Sequence, residues 1–140
     1  MLSEITAGRQ ERNGLLRRWY QDDYFDLFVW RRVDGEIASF QLCYDRRHSE
    51  RALSWSAERG YSHHRVDSGE SAYLNHKESP LLRADGVFPV YRIAPHFESA
   101  AASLDPELKA FLLQTLLAYP RALYGPMRRP RRRRSLSRPT

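Results

Sequence analysis

The pair Asp34-Gly35 constrains this chain more than any other feature. It sits between two aromatic-rich runs, residues 25–32 and 37–44. An Asp-Gly pair supplies the positive φ angles of a tight type I′ turn, so two antiparallel strands are expected around it. A two-residue loop fixes the register: Val33 faces Glu36, Arg31 faces Ala38, Val29 faces Phe40, Leu27 faces Leu42 and Phe25 faces Tyr44. One side of the hairpin then reads Phe25, Leu27, Val29, Phe40, Leu42 and Tyr44, almost wholly apolar. Two strands agree on one core face under a single register, which neither strand's propensity requires. The other side is mixed, with Asp26, Phe28, Trp30 and Arg32 against Cys43, Gln41, Ser39 and Ile37.

A second hairpin is expected from residues 51–56 and 61–67 around the turn at 57–60. With Ser56 facing Tyr61, the residues Leu53, Trp55, His64 and Val66 share one side. Ser54, Tyr61, His63 and Arg65 share the other. A short strand at 15–20 precedes the first hairpin. Residues 1–13 are polar without a clean period and read as a frayed helix or as disordered. Ser68-Gly69, Ser79-Pro80, Asp85-Gly86, Pro89 and Pro95 punctuate residues 68–100. Within them, residues 87–93 read as an edge strand, because Pro89 would spoil a central one.

The clearest helix spans 105–119. Asp105 is a good N-cap, Pro106 suits the first helical position, and Glu107 favours the positive end of the helix dipole. Leu108, Phe111, Leu112, Leu116 and Tyr119 form a stripe at helical spacing, and Pro120 argues for a stop near Tyr119. A second stripe, Ala110, Leu113 and Leu117, needs cover from segment 68–100 or from a homodimer partner. The intrachain cover, and so the monomer, is narrowly favoured. These elements predict an α+β fold: an antiparallel β-meander of four to five strands packed by one C-terminal helix. Residues 1–126 make a single domain, and residues 127–140 a disordered basic tail.

Charge divides the chain the same way. The net charge is +6, but the last fourteen residues hold seven arginines and no acid. Without them 16 basic side chains meet 17 acidic ones, a net of −1. The nucleic-acid affinity that a basic chain implies therefore belongs to Arg128, Arg129, Arg131, Arg132, Arg133 and Arg134, by sequence-independent neutralisation of phosphates. No apolar run approaches the about eighteen residues of a membrane-spanning helix, and the first residues lack the apolar core of a signal peptide. A single cysteine, Cys43, forms no internal disulfide and fits a cytoplasmic location.

No catalytic or cofactor motif is present. His63, His64 and Asp67, with His76 further on, are the densest set of potential metal ligands. They define one reading, a small, metal-assisted enzyme. In a strand His63 and His64 point to opposite faces, which argues against one shared ion and leaves no metal or cofactor expected. Cys43 with His63 as base is a nucleophile reading without a supporting signature. The favoured reading is a non-enzymatic binding module. Its ligand would lie on the mixed sheet face, among Phe28, Trp30, Gln41, Ser54, Tyr61, His63 and Arg65, where rings can stack and polar groups can hydrogen-bond.

The stretches Phe40-Gln-Leu-Cys-Tyr-Asp45, Glu50-Arg-Ala-Leu-Ser-Trp55 and Gly60-Tyr-Ser-His-His-Arg-Val-Asp67 resemble a group of short proteobacterial proteins. The resemblance covers the middle half of the chain and excludes the tail. It implies a bacterial, intracellular origin and brings no activity or site residue with it.

The charge division is testable. Deleting residues 127–140 is expected to leave the unfolding midpoint unchanged and to abolish retention on a nucleic-acid column at low salt. Unaltered retention would place that affinity in the folded part.

Overall fold

Alternation in two neighbouring strands builds this fold. Val29 pairs with Phe40 and Leu27 with Leu42, all on one side of the sheet and each at most 1% exposed. The computed structural model describes residues 1–47, 49–66, 82–84 and 86–119, with 82–84 described by their backbone only. The strands are β1 (Ser3–Glu4), β2 (Gln10–Arg12), β3 (Leu15–Gln21), β4 (Asp26–Arg32), β5 (Ile37–Tyr44), β6 (Arg51–Ser56), β7 (Gly60–Val66) and β8 (Leu82–Ala84). The helices are α1 (Val90–Ala100) and α2 (Pro106–Leu117), joined through a 3-10 turn at Ala101–Ser103.

All pairings are antiparallel, and neighbours in sequence are neighbours in the sheet from β3 to β8. The α+β meander with a C-terminal helix is thus the observed architecture. It is larger than four or five strands, because the N-terminal residues, expected as frayed or disordered, join it. β1 and β2 line the same edge of β3 at its two ends, separated by a 3-10 turn at Thr6–Gly8. Leu2, 1% exposed, anchors this edge in the core.

The first hairpin reaches the expected register by an unexpected route. Asp34 does not adopt a positive φ; Gly35 does, at 94°. The Gly35 amide bonds to Arg32 O, and Arg32 N bonds to Glu36 O, so three residues form the loop rather than two. That shifts the pairing by one, and Arg31 faces Ile37 instead of Ala38. An irregularity between Trp30 and Arg31 leaves Ala38 unpaired across from β4 and restores the register, so Trp30 faces Ser39 and Val29 faces Phe40. The loop and the bulge cancel, and the apolar face survives intact.

The second hairpin carries no such compensation. Ser56 pairs with Gly60, Trp55 with Tyr61 and Leu53 with His63. The expected pairing of Ser56 with Tyr61 is off by one residue. Because side chains alternate with period two, every β7 side chain changes face.

Residues 87–93, expected as an edge strand, instead lead into and open α1. Val90, Ile93, Ala94, Phe97 and Ala100 repeat at helical spacing and are buried. Pro89 sits at the N-cap, where its missing N–H costs nothing, and Pro95 lies on the exposed side of the helix. Two prolines had obscured a helical period. α2 follows its expected caps: the Asp105 carboxylate accepts from Glu107 N and Leu108 N at 3.1 Å.

Both helices pack on one sheet face. Phe25 meets Phe97, Trp55 meets Phe111 and Tyr61 meets Tyr119, each edge to face with centroids 5.3–5.7 Å apart. Of the second α2 stripe, Ala110 and Leu117 are exposed, and Leu113 is half-buried against the core. The tail arginines and residues 67–81, Asp67 and His76 among them, lie outside the described residues. Among the described residues no helix is long and apolar enough to cross a membrane.

Val29→Asp and Leu42→Asp are each expected to cost about 4 kcal/mol or more, because each buries an unpaired charge under the helices. Ser39→Asp, on the opposite face, is expected to cost about 1 kcal/mol or less. Urea unfolding of the three variants checks the division; equal losses would mean that both faces are packed interior.

A groove on the outer sheet face

The sheet face turned away from the helices forms a groove of about 680 Å³. Its floor follows from pairing. Trp19 of β3 faces Phe28 of β4, and Arg17 faces Trp30. Phe28 faces Gln41, and Gln41 faces Ser54. Ser62 faces Ser54, and His64 lies beyond it on β7. Trp19, Phe28 and Trp30 form a row: Trp19 and Phe28 are stacked at 5.6 Å and 19°, and Phe28 and Trp30 are 6.2 Å apart at 30°.

Trp19 is held from both sides. Its indole N–H donates to Asp26 Oδ1 at 2.8 Å. Asp26 is wholly buried, also accepts from Gln21 Nε2, and pairs with Arg46 Nε at 2.9 Å. From above, the Thr6–Gly8 turn presses on the Trp19 side chain. A Cβ added at Gly8 would lie 2.8 Å from Trp19 Cε3 and 2.9 Å from its Cβ, closer than such atoms pack. Glycine is needed there for space, not for its backbone angles.

Arg17 is 8% exposed, and its Nε and Nη2 both donate to Gly8 O, at 3.3 and 3.1 Å. Its guanidinium lies over the Phe28 ring, 5.3 Å from the centroid. Among the described residues it has no carboxylate partner. Burial, and secondarily the nearby Arg12, hold its pKa below the ordinary arginine value.

Of the residues expected to form the site, Phe28, Trp30, Gln41 and Ser54 come together here. Tyr61 reaches the groove only at its wall, and His63 and Arg65 are not among its lining, because of the one-residue shift of β7. Tyr61 contributes to the groove wall, but its hydroxyl donates to Thr115 O on α2 at 2.8 Å. Burial raises its pKa. His63 is buried on the helix side, where Nδ1 bonds to Gly86 O at 3.1 Å and Nε2 to the Tyr44 hydroxyl at 2.5 Å. Both ring nitrogens are thus engaged. Arg65 pairs with Arg51 across the strands and follows the alternation of Tyr61 and His63. Arg12, Arg17, Trp19, Arg59, Ser62 and His64 take their place in the lining. Leu15, Arg17 and Trp19 alternate along β3, a signal the sequence contained without a tight turn to set its register.

The nucleophile reading does not survive this geometry. Cys43 lies on the outer side, 0% exposed, and His63 on the inner one. Burial pushes the Cys43 thiol far up, away from the thiolate. His63 and His64 also diverge, and among the described residues no three His, Cys, Asp or Glu side chains are placed to hold a metal ion. Searches of protein-family models, of curated proteins and of solved structures found no match to this chain.

Gly8→Ala is expected to displace Trp19 and loosen the β1–β2 edge, at a cost of about 1–3 kcal/mol. Thermal melting and the tryptophan emission maximum report it. An unchanged melt and spectrum would mean that the turn does not fix the ring.

Proposed function

We propose that this chain is a small, cytoplasmic, non-enzymatic binding module whose ligand occupies the outer groove. The observation that carries the reading is the pair of half-buried indoles, Trp19 and Trp30, on either side of the buried Phe28. It is set into a sheet face that also presents Gln41, Ser54 and Arg17. Rings offer stacking area, and the amide, hydroxyl and guanidinium fix orientation, which is the composition of a ligand site. The basic tail, Arg128 to Arg134, adds non-specific affinity for nucleic acid. The metal-assisted enzyme around His63, His64 and Asp67 is the second reading. The opposed directions of His63 and His64 weigh against it.

The groove reading predicts that planar aromatic ligands shift the Trp19 and Trp30 indole signals in a ¹H–¹⁵N spectrum. Ser54→Trp, which fills the groove floor, is expected to abolish those shifts while the fold persists. Metal analysis of the purified chain addresses the second reading. Stoichiometric zinc, iron or manganese that is lost on His64→Ala would favour the enzyme.

A further inference from the structure

We infer that the groove takes a nucleotide unit, its base laid against Trp19 or Trp30 and its phosphate held by Arg17 together with Arg12 and Arg59. This rests on the reading of the groove as a ligand site and names the chemistry of the ligand.

The lining is the first ground. Among the described residues no acidic side chain lines the groove, while three arginines do. A cleft of one sign concentrates ligands of the other.

Arg17 is the second. A buried guanidinium normally meets a carboxylate, because desolvating a lone cation is costly. Among the described residues this one meets only the Gly8 carbonyl and the face of Phe28. Its Nη1 has no acceptor among the described residues. Burial, and secondarily Arg12, disfavour its charged form. Two of its nitrogens are anchored on Gly8, which fixes the fork in place and leaves the remaining donors for a ligand.

An anion alone would not explain the rings. Trp19 and Trp30, both half-buried, flank the buried Phe28 with planes within 30° of its own. The accessible parts of such indoles stack bases irrespective of identity. Ser39, Gln41 and Ser54 beside it can bond to base edges. Three guanidiniums around one groove also exceed what a single carboxylate needs, whereas a phosphate accepts several charge-assisted bonds. The volume falls within the about 300–1,000 Å³ of small-molecule sites.

A free nucleotide and a nucleotide within a single strand present the same chemistry, and titration separates them. The full chain is titrated with adenosine, adenosine monophosphate and a tetra-adenylate. Tryptophan quenching and calorimetry are the readouts, and the four arginines 131–134 are replaced by serine to silence the tail. The monophosphate is expected to bind at least tenfold more tightly than adenosine. Arg12→Ala with Arg59→Ala, both exposed positions, should remove most of that difference, and Arg17→Lys should weaken monophosphate binding as well. A tetra-adenylate much tighter than the monophosphate assigns the ligand to single strands, and equal affinity assigns it to free nucleotides. Equal affinity for adenosine and its monophosphate, or an unaltered preference in the Arg12/Arg59 variant, overturns the phosphate assignment and leaves the groove reading standing. Quenching by other planar compounds but by no base-bearing one overturns the nucleotide assignment. Failure of every planar ligand to reach Trp19 or Trp30 overturns both.

Discussion

The period-two alternation of β4, β5 and β6 is the constraint on which the rest depends. Leu27, Val29, Phe40, Leu42 and Leu53 are each at most 1% exposed under the helices. A slip of any of these strands by one residue would drive Gln41 or Ser54 into that core and turn leucines outward. The apolar face therefore determines the composition of the other face. Phe28, Trp30, Gln41 and Ser54 are where they are because their neighbours are core. The Ala38 bulge shows how strong the constraint is. A three-residue loop at Gly35 would have inverted β5, and one unpaired residue restores it before the first core pair.

Stability and binding are thus divided between two faces of one sheet. On the helix side, polar groups are closed off in pairs. His63 is sandwiched between the Tyr44 hydroxyl and the Gly86 carbonyl. Asp45 accepts from Tyr24 and from Arg92, which ties the β5 end to α1. Burial opposes ionisation of Asp45, but those hydrogen bonds outweigh it and hold its carboxyl below the ordinary value. On the groove side, Asp26 is consumed by Trp19, Gln21 and Arg46, whereas Arg17 is left with a carbonyl and a ring. The groove keeps unspent hydrogen-bonding capacity in Arg17.

The sequence carried the first hairpin and the α2 caps because both rest on local rules with one strong solution. Six apolar residues agreed across Asp34-Gly35, and Asp105-Pro106 marked a helix start. It carried the second hairpin less well. The turn at 57–60 admits two registers, and Tyr61, Ser62, His63 and His64 include no residue apolar enough to choose between them. The choice is made by tertiary contacts, Tyr61 with Thr115 and Tyr119, and His63 with Tyr44 and Phe88. α1 was obscured by Pro89 and Pro95, whose positions matter more than their presence. Four of the seven expected site residues were therefore legible on the groove floor, Phe28, Trp30, Gln41 and Ser54, and a fifth, Tyr61, lines its wall. Arg17 and Trp19 were not, because the β3–β4 connection closes through Asp22 Oδ1 accepting from Tyr24 N and Phe25 N rather than through a sequence-obvious turn.

The register of β7 tests this division most directly, since it decides which histidine faces the groove. A ¹³C-edited NOE spectrum of the full chain reads it. Contacts from the His63 ring to Phe88 and Tyr44, with none from His64 to either, are the expected result. Contacts from His64 to Phe88 or Tyr44 would put His63 in the groove and contradict the account.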